Sequence, residues 1–410
     1  MPKISVYRQL SELEQLDDEW GRFLCQVGCD QIQHTLSYIC AAVRRGGFQP
    51  VVVVARLRGK IIAAAPFYLD DSWHSIRISV LKLGRAKLRL LKLFGDEFLI
   101  ANAGDVRGGE PDEFLDDDVY NWVFAELATI PEIDLIALEE IAVQGRLGGR
   151  LDNISHGTSG WRVLRKADSQ LCHCILFPRS FDEYQRSLKS RDRTNLRRRR
   201  KRLNERFAGG LSLMEFRSPE QVPHLLAAVN DVYAKTWHAK VLGPRDRDTA
   251  EEVEFCLAIA RRGWLRSYIL YGNQTPLAFQ MGFQFKSTYE FFETGFDSEW
   301  AKFGPGAVLE YMVIEDLLSH DSPQRGDFGF GDAEYKRLLS NASHYELRYI
   351  YMSTAWKLRP RVIVWIIATL DWSEKALRWI LKRTSLETTV RRLLKRQGRP
   401  TTPPDQTQDL

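Results

Sequence analysis

The chain has 410 residues, 44% hydrophobic and 27% charged, which suits a folded globular protein with room for two domains. No apolar run approaches the ~20 residues of a membrane span, and charges interrupt the N-terminal stretch where a secretion signal would lie. Six cysteines are too few for a disulfide scaffold, so ordinary reduced thiols, no metal site and a cytoplasmic location are expected. The net charge of +5 conceals two basic segments, residues 186–206 and 356–400, on an otherwise acidic chain. Two local anionic contacts follow from that pattern, with nucleic acid an unfavoured partner.

In chain order, residues 7–45 read as helical segments, with Leu10, Leu13, Leu16, Trp20, Phe23 and Leu24 in one stripe. PVVVVARLRGKIIAAAPFYL then sets two apolar runs around Arg58-Gly59-Lys60, a hairpin signal. Residues 81–93 alternate Lys or Arg with Leu, 119–128 form an amphipathic helix, and IDLIALEEI is a strand. The Gly-, Asn- and Ser-rich stretch 145–160 reads as a loop or linker. Cys172-His173-Cys174 alternates as in a strand.

The second half repeats this order. A basic helix starts at Ser180, helices cover 219–237 and 251–261, and SYILYGNQTPLAFQMGFQF is a hairpin around Gly272-Asn273-Gln274. Setting Ala63 on Ala278 superposes the two hairpins, which suggests duplicated domains and not a solenoid of short repeats. An aromatic strand over 289–296 leads through Asp297-Ser298 to Gly304-Pro305-Gly306. That turn opens a helix with Val308, Tyr311, Met312 and Leu318 on one face. Strand, glycine turn and helix start bring backbone N–H groups and a positive helix end together, an arrangement that binds phosphate without a metal. Phe328 and Phe330 then precede Gly331-Asp332-Ala333-Glu334-Tyr335-Lys336.

Residues 181–348 resemble the acetyltransferase domain of the CelD/BioF2-like group of the GNAT superfamily, related in architecture to the FemAB aminoacyltransferases. The likeness rests on SLKSRDRTNLRRRRKRL, YILYGNQTPLAFQMGF, FFETGFDSEWAKFGPG and, most specifically, DFGFGDAEYK. It implies an α/β (α+β) fold of tandem GNAT-like domains, with mixed central sheets flanked by helices and a basic helical C-terminal tail. The expected division is 1–150, a connecting stretch 151–180, a catalytic domain 181–355, a basic amphipathic segment 356–398 and a disordered tail 399–410. The glycine loop departs from the superfamily's Arg/Gln-x-x-Gly-x-Gly/Ala by placing Pro305 in its middle, which removes one amide donor.

The resemblance further implies acyl transfer from acyl-CoA, as co-substrate, by direct attack of an amine or hydroxyl. The strand over 289–296 would pair with the pantetheine arm. Phe296, Lys302, Gly304, Gly306 and Ala307 would hold the pyrophosphate end. Glu293 and Asp332 are candidate bases if burial raises them, Tyr335 the acid at sulfur, and Lys336 a charge near acceptor or phosphate. Each has a plainer reading: Glu293 paired on a surface strand, Asp332 capping a helix, Tyr335 and Lys336 packing. Arg193, Arg197 and Arg200 would meet an anionic sugar or lipid-linked acceptor, a polysaccharide or envelope precursor. Otherwise the basic helix is a solvated face with Leu196 and Leu203 on its buried seam, or a contact for aminoacyl-tRNA as in FemX-type relatives. A non-catalytic assembly factor is the further alternative. Residues 362–394 set Trp against Lys and Arg, as an interfacial helix at the inner membrane surface or a packed terminal helix would.

Overall fold

The computed structural model describes residues 2–78, 81–101, 116–156, 160–237, 239, 249–354, 358 and 361–365. Most of the expected amphipathic segment 356–398, and the whole tail 399–410, lie outside the described residues. Among the described residues no helix is long and apolar enough to cross a membrane.

The first half runs β1 (Lys3–Tyr7), α1 (Leu10–Glu14), α2 (Asp17–Gln26), α3 (Leu36–Gly46), β2 (Gln49–Leu57), β3 (Lys60–Ile78), β4 (Leu81–Leu93), β5 (Leu99–Ile100), α4 (Asp116–Ala128), β6 (Leu135–Ala142), α5 (Arg146–His156) and β7 (Trp161–Lys166). The second runs β8 (Ser169–Leu176), α6 (Phe181–Ser187), α7 (Ser190–Arg206), β9 (Leu211–Phe216), α8 (Val222–Ala234), α9 (Ala250–Arg261), β10 (Ser267–Gly272), β11 (Thr275–Phe285), β12 (Thr288–Phe296), α10 (Pro305–His320), β13 (Arg325–Asp327), α11 (Glu334–Leu339) and β14 (Ala342–Thr354). The fold is mixed α/β, as expected.

Two compact units result. One comprises Met1–Val27, Phe48–Gln170 and Glu346–Leu410, the other Gly28–Gly47 and Leu171–Tyr345. Residues 28–47, inside the span expected for the first domain, therefore pack with the second. There Arg45 meets Glu252 of α9 at 2.9 Å, and Tyr38 packs edge-on against Phe255. Residues 346–354, expected in the catalytic domain, pair instead with β6 and β7 of the first unit.

In the first unit the strand order is β1-β2-β3-β4-β6-β14, antiparallel except for the parallel pair β4–β6. Helix α4 buries Val119, Tyr120, Val123, Phe124 and Leu127, the spacing of one helical face, against that sheet. The expected loop at 145–160 is instead mostly helix α5, whose Leu147 and Leu151 are buried four apart. Its glycines misled the composition argument. A Cβ on Gly148 would collide with the carbonyl of Ala142, so that glycine serves a close approach and not a loop.

In the second unit the order is β8-β13-β12-β11-β10-β9, with β12–β13 the parallel pair. Helix α10 is apolar nearly all round and buried from Ala307 to Ile314, so it lies inside this unit and not along its surface. Helix α7 buries only Leu196 and Leu203, seven apart, as its pattern predicts.

Candidate active site

β12 and β13 share hydrogen bonds only from Thr288–Glu290 to Arg325–Asp327. β12 then continues to Phe296 beside β11, while β13 stops. A bulge sets Phe291 and Phe292 against the single residue Gly282, bending β12 where the strands part. Gly282 is required there, because a Cβ would collide with the Tyr289 hydroxyl, which donates to the Arg266 carbonyl at 3.0 Å. The rings of Phe291 and Phe328, each just past the last paired residue, stack at 4.3 Å, and Tyr335 meets Phe328 edge-on at 6.0 Å. Past this fork, the outer edge of β12 faces no strand among the described residues.

β12 ends at Phe296, and the carboxylate of the next residue, Asp297, accepts from the Glu299 amide at 2.9 Å and starts a 3-10 turn over Ser298–Phe303. Gly304 follows in the left-handed region (φ 66°), and Pro305 is the first residue of α10. A missing N–H at that position costs little, because the first helical amides have no partner within the helix anyway. The amides of Gly306 and Ala307 remain as donors. A Cβ on Gly304 would stand 2.9 Å from the Arg199 guanidinium, so the basic helix brings a fixed positive charge to the helix start. Arg202 and Arg206 of the same helix lie over the rings of Phe303 and Trp300, and Lys302 also lies over Phe303.

The other side of α7 borders a cavity of about 560 Å³ lined by Arg197, Arg200, Lys201, Phe181 and Tyr311 among others. Arg193 donates to the Gln185 carbonyl at 3.1 Å, Arg197 to the Gln185 side chain, and Arg200 pairs with Glu315 at 2.7 Å. Of the three arginines singled out in the sequence, Arg197 and Arg200 face this cavity, and Arg193 braces the turn between α6 and α7.

Asp332 does not cap α11, whose N-cap is Ala333. Its side chain is 40% exposed and is held by His173 Nε2 at 2.8 Å and Arg337 at 2.7 Å. Lys336 is buried and donates to the carbonyls of Phe330 (2.7 Å) and Gly329 (3.2 Å), so it braces the glycine-rich loop. Glu293 stands half-buried on β12, opposite Met281. Phe296 packs under Gly306, where a Cβ would approach its ring to 3.1 Å. Lys302 is exposed and Ala307 buried.

The buried carboxyls lie elsewhere. Glu310, on α10, is 1% exposed, and neither oxygen makes a hydrogen bond of ordinary geometry. Burial pushes it up to about 8, opposed only in part by the Thr294 side chain and the Lys336 ammonium. Burial also raises the Tyr335 phenol, and Glu310 raises it further, so Tyr335 stays protonated. Glu290, at the fork, is likewise pushed up to about 8 by burial and then by Asp327 beside it. The signal for Glu310 was a lone carboxylate in GAVLEYMVI, where every neighbour on both helix faces is apolar.

Residues 190–337 match the profile of the acetyltransferase (GNAT) domain. The match covers less than half of the chain and takes in α7, the fork, the glycine turn and α11. The chain thus carries a GNAT acetyltransferase domain and is an enzyme of acyl transfer; domains of this type use acyl-CoA as co-substrate. Among solved structures, the crystal structure of FemX is similar in fold, with a TM-score of 0.53 at 10% identity, over 85% of this chain and 96% of that one. The C-terminal domain of a putative lysylphosphatidylglycerol synthetase from Agrobacterium fabrum aligns at 14% identity and a TM-score of 0.49, covering 88% and 97%. A tandem GNAT protein from the clavulanic acid biosynthesis pathway aligns at 10% and 0.48, covering 86% and 98%. No curated protein matches the chain.

Proposed function

We propose that the second unit binds acyl-CoA along the open edge of β12 and transfers the acyl group, acetyl first, to an amine or hydroxyl. The observation that carries this is the fork: β12 leaves β13 at Glu290 and leads to a helix start flanked by Arg199. The backbone of residues 291–296, beyond the last residue paired with β13, would run alongside the amide-bearing pantetheine arm. The amides of Gly306 and Ala307, with Arg199 and Lys302, would take the pyrophosphate.

The chemistry is then direct. The acceptor's N–H or O–H loses its proton to a base, its lone pair attacks the thioester carbon, and the C–S bond breaks. Glu293, half-buried on β12 past the fork, is the proposed base. Tyr335, held protonated by burial and by Glu310, donates a hydrogen bond to the departing sulfur. The acceptor class we infer is an anionic sugar or lipid-linked precursor of polysaccharide or envelope, as in the CelD/BioF2-like group. Its support is the cationic, ring-lined cavity beside α7.

Calorimetric titration with acetyl-CoA and longer acyl-CoAs tests the donor. Saturable 1:1 binding is expected, weakened about tenfold at the charge reversal Arg199→Glu. Heats no greater than dilution for every acyl-CoA would leave a GNAT fold without its donor, and the assembly-factor reading would take its place.

A further inference from the structure

A second chemical array stands one strand away from the fork. His173 on β8 is 5% exposed, and both ring nitrogens are engaged: Nε2 with Asp332 Oδ1 at 2.8 Å, Nδ1 with Ser340 Oγ at 3.2 Å. Arg337 donates to the other Asp332 oxygen at 2.7 Å, which fixes the carboxylate's orientation. The three residues come from separate parts of the unit: β8, the loop after β13, and the residue that ends α11. A carboxylate on Nε2 selects the tautomer protonated there, leaving Nδ1 as an acceptor aimed at the serine hydroxyl. Ser340 is half-buried, in extended backbone (φ −78°, ψ 148°) just beyond the helix.

We propose that Ser340, His173 and Asp332 form a nucleophile–base–carboxylate array that takes up an acyl group from an activated ester or thioester. The Ser340 Oγ–carbon bond forms as the ester C–O or thioester C–S bond breaks. The serine proton passes to His173 Nδ1 and from there to the leaving alkoxide or thiolate. Water then attacks the Ser340 ester with His173 again taking the proton, and carboxylic acid and free serine result. Such arrays are defined by geometry and roles, not by order along the chain. The ring nitrogens exchange places relative to the usual triad, which is chemically neutral, since either nitrogen is basic when the other holds the proton. The array does not depend on acyl-CoA being the donor of the main reaction.

The full-length chain is incubated with a fluorophosphonate probe, and with p-nitrophenyl acetate, and adducts are mapped by mass spectrometry. One adduct on the peptide containing Ser340 is expected, absent in Ser340→Ala. Labelling should slow by about 10²-fold in His173→Gln, the low end for losing a general base. Because His173 is buried, Asp332→Asn provides a second variant at a partly exposed site, with labelling slowed at least about tenfold by the lost orientation. A wild-type Ser340 that stays unmodified, or a rate unchanged in a folded Asp332→Asn protein, overturns the proposal. The probe contains no CoA, so failure to bind acetyl-CoA would leave this result standing, and failure to label would leave acyl-CoA transfer standing.

Discussion

The two units are built on one strand order and differ at one junction. β1, β2, β3, β4 and β6 in the first correspond to β9, β10, β11, β12 and β13 in the second, each with four strands antiparallel and the fifth parallel to the fourth. The hairpins agree in register as well. Ala63 pairs with Ala55 and Ala278 with Leu270, and each hairpin shifts register at the next residue, Ala55/Arg56 and Leu270/Tyr271. The difference lies in the parallel pair. In the first unit β4 meets β6 through Leu90–Lys92, at the end of β4, so nothing runs on past the pairing. In the second, β12 meets β13 through its first residues and continues beyond them. A shift in where two strands meet leaves β12, but not β4, with a long run of strand beyond the parallel pairing, and the proposed donor site uses that run.

The largest way to test that contrast is through helix burial. α4 of the first unit buries no carboxylate among its described side chains, whereas α10 buries Glu310. Its folded value of about 8, against an ordinary 4.5, means that the folded chain binds the proton more tightly. Stability from this group is therefore full below about 4.5, falls as pH rises, and is gone above about 8. Glu310→Gln should match wild type near pH 5 and exceed it at pH 8.5 by on the order of a few kcal/mol, read from denaturant midpoints. A pH-independent difference would mean that Glu310 is not buried in the proton-holding environment described.

Next comes chemistry at the fork. Tyr335→Phe keeps the ring against Phe328 and removes the donor, so turnover should fall by about 10²-fold with acyl-CoA affinity near wild type. Unchanged turnover would reduce Tyr335 to packing. Smaller again is the donor contact: Arg199→Glu should weaken acyl-CoA binding about tenfold, or about 1.4 kcal/mol. Lys60→Glu, in the exposed hairpin turn of the first unit, should leave it unchanged. Equal losses from both substitutions would point to bulk charge and not to the helix start.

What the sequence disclosed divides by range. The hairpins, the aromatic strand, the Gly304-Pro305 helix start and the Leu196/Leu203 seam depend on local periodicity and turn chemistry, and these were legible. The exchange of segments between units was not, because residues 28–47 and 346–354 pair with elements distant in sequence. His173 read as one residue of an alternating strand, since nothing local reveals a carboxylate 159 positions away. The arginines of α7 lacked aromatic neighbours in sequence, yet Trp300 and Phe303 supply them in the fold. Asp332 and Lys336 stood out in the sequence as polar residues beside a glycine-rich turn, but their partners, His173 and Arg337 for the exposed Asp332 and the Gly329 and Phe330 carbonyls for the buried Lys336, lie beyond what local sequence reveals.

The smallest effect probes the repeat itself. Arg58 and Asn273 occupy equivalent turn positions of the two hairpins, and both sit in the left-handed region, with φ of 51° and 56°. That conformation is strained for a residue with a Cβ, least so for Asn, whose short polar side chain tolerates it. Glycine removes the strain but adds freedom to the unfolded chain, which offsets part of the gain. Arg58→Gly should therefore stabilise the first unit by up to about 1 kcal/mol, and Asn273→Gly should gain only a few tenths. Because the Asn273 amide also donates to the Gly210 carbonyl at 2.7 Å, a glycine keeps that bond and the comparison isolates the turn. Hydrogen exchange of amides in each hairpin reads the two units separately, where a single melting curve would merge them. Matching gains at both sites would say that the turns are under the same strain. A loss at Arg58 would show that its conformation is held by something other than a turn shared with the second hairpin, and the register agreement would then be coincidence.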